Sequence, residues 1–325
     1  MAYAEHTTRP GWGVSGPALC LIAAIFLTGC EGERMPAAAA SGPACRIAQT
    51  AVPLADEISE ASGAAVSRTH RGTIWLHNDS GNDPVLFAVD AAGQMHGRVS
   101  VTGARNIDWE DLALGPCPSG ECLYIADTGD NAARRDEIHV YRVPEPAPGD
   151  SVTAPAERFA MRYPDGPRDA EAIFILPPER LHIVTKGSRE RIEIYAYPGR
   201  LQPGTTATLT PVRALSESSV PFPDLVTGAD ANSAGSWVAI RTYTSVLLYP
   251  TPILFGATEA VPLRVDATSI GETQGEAVAL GDNGALILAG EGGGGGIPGL
   301  LAVLWCELSR GRATADGGSA PQGES

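Results

Sequence analysis

The stretch EDLALGPCPSGECLYIADTGDN, Glu110 to Asn131, decides the fold. It opens on an acid, runs through small and apolar residues, turns at Pro118-Ser119-Gly120, rises again as an apolar run and ends on oxygen-rich side chains. Short apolar runs bounded by Gly, Pro and Asp read as paired strands. The same form recurs at EASGAAVS (from Glu60), EAIFILP (Glu171), DANSAGS (Asp230) and EAVALGD (Glu276), followed by the second runs TIWLHND, LHIVTKG, SWVAIRTY and ALILAGEG. Third runs follow in every case: VLFAVD, IHVYRVP, IEIYAYP, SVLLYP and LLAVLWCEL. Weaker fourth runs, GRVSV, ERFAMRYP, TLTPVRAL and AVPLRVD, follow the first four.

Four strands repeated every ~40–60 residues are the sequence signature of a β-propeller. The expectation is an all-β fold of five blades, each of four antiparallel strands. The long intervals before Glu171 and Asp230 leave room for a sixth. The last repeat lacks a fourth strand, and CRIAQTAVPL (Cys45–Leu54) can supply it and close the ring. A β-sandwich is the competing architecture.

The chain of 325 residues, 43% hydrophobic, is large enough for a packed core. Its formal charge of −15 leaves no basic stripe for phosphate neutralisation and excludes nucleic acid as a partner. An apolar run from Ala18 to Leu27 ends in Leu27-Thr28-Gly29-Cys30. The run is shorter than a membrane span, and its ending resembles the lipobox of bacterial lipoproteins. That reading makes residues 1–29 a signal peptide and Cys30 the lipidated residue. The protein would then be a monomer held outside the cytoplasm on a cell-envelope membrane, through its lipid alone. Residues 30–43 read as a flexible tether, 44–308 as the propeller and 309–325 as a disordered tail. Of six cysteines, four remain beyond Cys30, an even number suited to disulfides in an exported protein. Cys117 and Cys122 flank a tight turn and can pair locally, leaving Cys45 for Cys306.

In a propeller the first strand of each blade lines the axis and the second runs antiparallel beside it, so the start of one adjoins the end of the other. This places Glu60, Glu110, Glu171, Asp230 and Glu276 on one face with Asn78, Asp79, Asp127, Lys186, Arg241 and Glu291. Lys186 is the one lysine among 23 basic residues, which marks its compact ammonium for a specific partner. Carboxylates in excess at such a mouth must protonate, pair or bind a metal. Ca²⁺ accepts about six to eight oxygens in loose geometry and suits this set. The expected metal ligands are Glu60, Asn78, Asp79, Glu110, Asp127, Glu171, Asp230 and Glu276. Around them His77, Asp130, Asn131, Arg134, Lys186, Arg241 and Glu291 would meet a ligand. His77 reads first as a turn cap and second as a general base beside a metal-bound water. Trp75, Trp109, Trp237 and Trp305 read as packing between blades.

The motifs HNDSG (His77–Gly81), DWED (Asp108–Asp111) and ADTGDN (Ala126–Asn131), with Arg134 or Arg135 beyond, resemble a set of bacterial exported propeller proteins. Ala126 stands where that family's pattern has Gly. More distantly the organisation is similar to phytase-like and lactonase-like propellers, and that resemblance implies axial acids holding Ca²⁺. Two functions follow as expectations. One is a lipid-anchored binding module for an envelope protein, a glycan or a small anionic ligand. The other is a metal-dependent phosphoesterase or lactonase using the same site. Gly-x-Ser-x-Gly, His-Glu-x-x-His, Walker and Rossmann motifs are absent, and no motif supports a quinone- or flavin-linked oxidoreductase.

Overall fold

The structure is a computed structural model that describes residues 45–256, 261–293 and 296–308. The segments read as signal peptide, tether and tail, together with Cys30, therefore lie outside the described residues. Strand β1 (Cys45–Pro53) comes first. Blade 1 is β2 (Ala61–Val66), β3 (Ile74–Asn78), β4 (Val85–Val89) and β5 (Met95–Ser100). Blade 2 is β6 (Trp109–Cys117), β7 (Gly120–Asp127), β8 (Ile138–Pro144) and β9 (Glu157–Arg162). Blade 3 is β10 (Ala170–Leu176), β11 (Arg180–Thr185), β12 (Glu193–Ala196) and, after the short β13 (Thr206–Thr208), β14 (Thr210–Ala214). Blade 4 is β15 (Val226–Ala231), β16 (Trp237–Thr242), β17 (Ser245–Pro250) and β18 (Leu263–Asp266), and blade 5 is β19 (Gln274–Leu280), β20 (Ala285–Glu291), β21 (Leu300–Cys306) and the returning β1.

Five sheets settle the blade count at five. The long intervals hold no sixth blade. The stretch read as one strand, TLTPVRAL, is divided: β13 pairs parallel with β9 on the edge of blade 2, while β14 stays with blade 3. Ring closure is as the sequence implied. β1 pairs antiparallel with β21, Cys45 faces Cys306, and the two form a disulfide. Cys117 and Cys122 form the second. Two disulfides fit an oxidising compartment outside the cytoplasm. Among the described residues no helix is long and apolar enough to cross a membrane.

The first strands β2, β6, β10, β15 and β19 adjoin one another in a closed ring around the axis. Each blade presents apolar side chains to both neighbours, so the core is five wedges rather than one centre. Trp75 and Trp109, both fully buried, fill the wedge between blades 1 and 2. Phe159, Ile173 and Tyr195 fill the next, and Phe174 with Ile240 the one after. Trp237 packs between blades 4 and 5 and Phe87 between blades 5 and 1, while Trp305 lies half-buried on β21. Burial on both faces explains why the first strands read as near-continuous apolar or small runs.

One irregularity is common to all five blades. Each first strand carries a β-bulge against its second strand, between Ala61 and Gly63, Trp109 and Asp111, Ala170 and Ala172, Val226 and Gly228, and Gly275 and Ala277. A bulge inserts one unpaired residue and re-aims its side chain. The bulged residues are Ser62, Glu110, Glu171, Thr227 and Glu276, all of them buried polar groups.

Candidate metal centre at the propeller mouth

The bulges set the true register of the repeat, and they correct the sequence alignment in two blades. Glu110, Glu171 and Glu276 are equivalent, as expected. Their counterparts in blades 1 and 4 are Ser62 and Thr227, not Glu60 and Asp230. Glu60 falls two residues before the bulge, level with Asp108, Asp169 and Gln274. Backbone bonds agree in blades 1 and 3, where the carbonyls of Glu60 and Asp169 accept from the N–H groups of Asp79 (2.9 Å) and Lys186 (3.0 Å); in blade 2 the Asp108 carbonyl accepts from Gly129 (3.2 Å), one residue beyond Thr128. The second-strand ring shifts likewise to Asp79, Thr128, Lys186, Tyr243 and Glu291.

This register explains which predicted residues miss the mouth. Asp230 lies beyond the bulge, further along the channel, where its carboxylate accepts from the backbone N–H groups of Ala231 and Leu280 at 2.8 Å each. Burial pushes it up to about 7. Arg241 and His77 both sit opposite the residue after the bulge, Gly228 and Gly63 respectively, and so turn inward. The Arg241 guanidinium is wholly buried, donates to the carbonyls of Ala277 (2.6 Å) and Ala289 (3.1 Å), and pairs with Glu272. A Cβ on Gly275 would overlap that guanidinium, which is why glycine stands there. His77 bonds the Asn78 carbonyl through Nδ1 (3.0 Å) and meets the Trp109 ring edge-on; burial lowers its proton affinity. Asn78 is consumed locally, accepting from the Glu60 N–H (3.3 Å) and donating to the Glu57 carbonyl (2.8 Å). Asp127 accepts from Arg135 (2.9 Å) and from the Asp108 N–H (3.1 Å), within blade 2. Asp130 accepts from the N–H groups of Arg134 and Arg135 at 2.6 Å each, so it shapes the turn. The Arg134 side chain is exposed, and it is Arg135 that turns inward.

The remaining acids do converge. One carboxylate oxygen each from Asp79, Asp108 and Glu110 lies within 4.8 Å of the others. Burial raises Asp79 and carries Asp108 up to about 6, with the charge of Asp79 adding to the latter. Glu110 is raised well above the usual range by burial and then by the charges of Glu171, Asp79 and Asp108. Glu171 is pushed by burial to about 7, and the nearby charge of Glu171 in turn adds to the rise at Glu110. Lys186 is the cation of this mouth: Nζ donates to Glu171 Oε1 (2.6 Å), lies 3.5 Å from Asn131 Oδ1 and stands 3.9 Å from Asp169 Oδ2. Glu276 accepts from Gln274 (2.5 Å) and is raised by burial; Glu291, half-buried, is pushed to about 7. Glu60, at the exposed rim, accepts from Asn82 (2.5 Å). Gly129 makes the close approach possible, because a Cβ there would overlap Glu110 Oε1 and sit 2.6 Å from the Asp108 carboxyl carbon.

Sequence reading missed Asp108, Asp169 and Tyr243. For the two aspartates the signal was present as Asp-x-Glu in DWE and DAE, an acid two residues before the bulged Glu110 and Glu171. Below the mouth it missed Asp111, whose carboxylate accepts from the N–H groups of Leu112 (2.8 Å), Ile173 (2.8 Å) and Ala229 (3.0 Å). These bonds tie the first strands of three blades together.

No protein-family model matches the chain, and no curated protein matches it. Solved structures similar to it include the PQQ-bound aldose sugar dehydrogenase of Streptomyces coelicolor, at 14% identity and a TM-score of 0.49, covering 82% of this chain and 99% of that one. The apo aldose sugar dehydrogenase of Escherichia coli follows at 12% identity and a TM-score of 0.47, covering 81% and 99%. A calcium-binding regucalcin of Agrobacterium tumefaciens stands at 13% identity and 0.42, covering 79% and 95%. These likenesses are too remote to carry function across, and the site rests on its own residues.

Proposed function

We propose that the mouth is a divalent-cation site, and that the protein is a lipid-anchored binding module of the cell envelope that presents this ion and its surrounding loops to a partner. The observation that carries the reading is the meeting of Asp79, Asp108 and Glu110 within 4.8 Å. Three carboxylates so close repel one another, and their raised proton affinities record that repulsion together with burial. A cation relieves both. The donors are all oxygen, from two loop ends and a bulge, which suits Ca²⁺ rather than a metal demanding nitrogen, sulfur or strict octahedral geometry. Lys186 pairs directly with Glu171, and no salt bridge joins it to a triad carboxylate among the described residues. Because Asp108 and Glu110 hold protons more tightly than ordinary carboxyls, an ion bound between them displaces protons.

Calorimetry with Ca²⁺ in buffers of different ionisation enthalpy tests this directly. The expected result is saturable binding with proton release near pH 6.5, and loss of both in Glu110→Gln. Unchanged thermal stability and no heat with Ca²⁺ would remove the metal site. Turnover of a phosphoester or a lactone by the Ca²⁺-loaded protein, lost in the same variant, would make the site that of a hydrolase instead.

A further inference from the structure

The mouth is polarised, and blade 4 is the odd sector. Each other blade places two acids among the three ring levels, whereas blade 4 places none, having Leu225, Thr227 and Tyr243. Its entry loop carries Phe222, which is 71% exposed and the one aromatic among the exposed large hydrophobic residues described. The Phe222 ring leans on Tyr243 with centroids 5.1 Å apart and planes tilted by 43°, forming a two-walled aromatic corner. The loop is tied over the mouth by Val220 N–H to the Gly187 carbonyl (2.9 Å) and Val226 N–H to the Lys186 carbonyl (3.0 Å). The Tyr243 carbonyl lies 2.7 Å from where a Cβ on Gly275 would stand, so the corner abuts the strand that carries Glu276. The charges acting on the Tyr243 hydroxyl are Glu276, Lys186, Glu171 and Glu291. Lys186 and Glu171 offset each other across their 2.6 Å contact, which leaves Glu276 and Glu291 as the acids of this sector.

We propose that this corner is a second subsite of the mouth, separate from the carboxylate triad, and that it takes an organic ammonium ion: a free polyamine or a lysine side chain of a partner protein. The ammonium would lie against the Phe222–Tyr243 faces and toward Glu291 and Glu276. An aromatic face with carboxylates behind it attracts a cation through the ring quadrupole as well as through charge. The same field repels anionic ligands. An exposed phenylalanine costs water contact in the free protein, and an alkyl-ammonium covers it with its methylenes while the charge stays solvated by carboxylates.

The test is titration of the full chain with spermidine, with a blocked Gly-Lys-Gly peptide and with tetramethylammonium, each in Ca²⁺-saturated and in chelator-treated protein. Binding is expected in both states, so it stands or falls apart from the metal reading. Phe222→Ala should weaken it ~5–10-fold. Phe222→Leu should weaken it as much, since leucine keeps apolar volume but has no ring face. Both variants should keep the wild-type Tm, because the side chain is exposed. Spermidine binding alone identifies a small-molecule site, and peptide binding alone a protein lysine; either supports the proposal, and tetramethylammonium isolates the ring contribution. Wild-type affinity in Phe222→Leu would overturn it. So would the failure of all three probes, or binding that is the same in wild type and Phe222→Ala and vanishes at physiological salt.

Discussion

Glu110 illustrates how one position can be unfavourable for the empty protein and useful in the proposed cation site. Its carboxyl is buried among Asp79, Asp108 and Glu171, and its proton affinity is raised accordingly. Glu110→Gln removes a repulsive charge, so the metal-free protein should gain about 1 kcal/mol in denaturant unfolding, while the gain on adding Ca²⁺ disappears. Gly129→Ala tests the same contact from the other side. Its methyl group would displace the Glu110 carboxylate, lowering Ca²⁺ affinity about tenfold or more by calorimetry. Arg241 shows the opposite case, a charge consumed by structure. Truncating it to Ala leaves the Glu272 carboxylate buried and alone, which should cost about 3–5 kcal/mol in chemical denaturation. The double variant Arg241→Met, Glu272→Gln should recover part of that loss.

At the level of strands, the repeated bulge separates what the sequence could reveal from what it could not. Five blades, the closing strand and both disulfide pairings were legible, because they depend on apolar runs, turn residues and cysteine spacing. The register of the polar rings was not. A bulge adds one residue without changing the alternation on either side of it, so the aligned acids at Glu60 and Asp230 looked equivalent to Glu110 although they lie on different levels. Arg241 and Asp127 were misplaced for the same reason, being two and one positions short of the strand end that Lys186 occupies. Closure by β1 carries its own prediction. The bond from Cys45 to Cys306 spans 261 residues of sequence, whereas that from Cys117 to Cys122 spans 5. Replacing the first pair by Ser should destabilise the protein by up to about 5 kcal/mol, against about 2 kcal/mol for the second, in urea titrations of the paired variants.

For the whole molecule, the buried acids link stability to pH. Asp108 is held at about 6, and Glu171, Asp230 and Glu291 at about 7, all above their values in an unfolded chain. Groups with raised folded values bind more protons in the native state, so their contribution is present in acid and is lost as pH rises through about 6 to 7. The metal-free protein should therefore melt at a lower temperature at pH 8 than at pH 5.5. Saturating Ca²⁺ should flatten that slope without abolishing it, because Asp230 sits apart from the mouth; scanning calorimetry across pH with and without chelator checks both parts. The closing strand also bears on how the molecule comes into being. A ribosome makes β1 before every other strand of the ring, yet its partner β21 is made after all of them. A translocating chain must carry that early segment as an open edge until the far end emerges, so assembly is timed by the arrival of Cys306, and any chain cut short before it exits with its first strand still unclaimed.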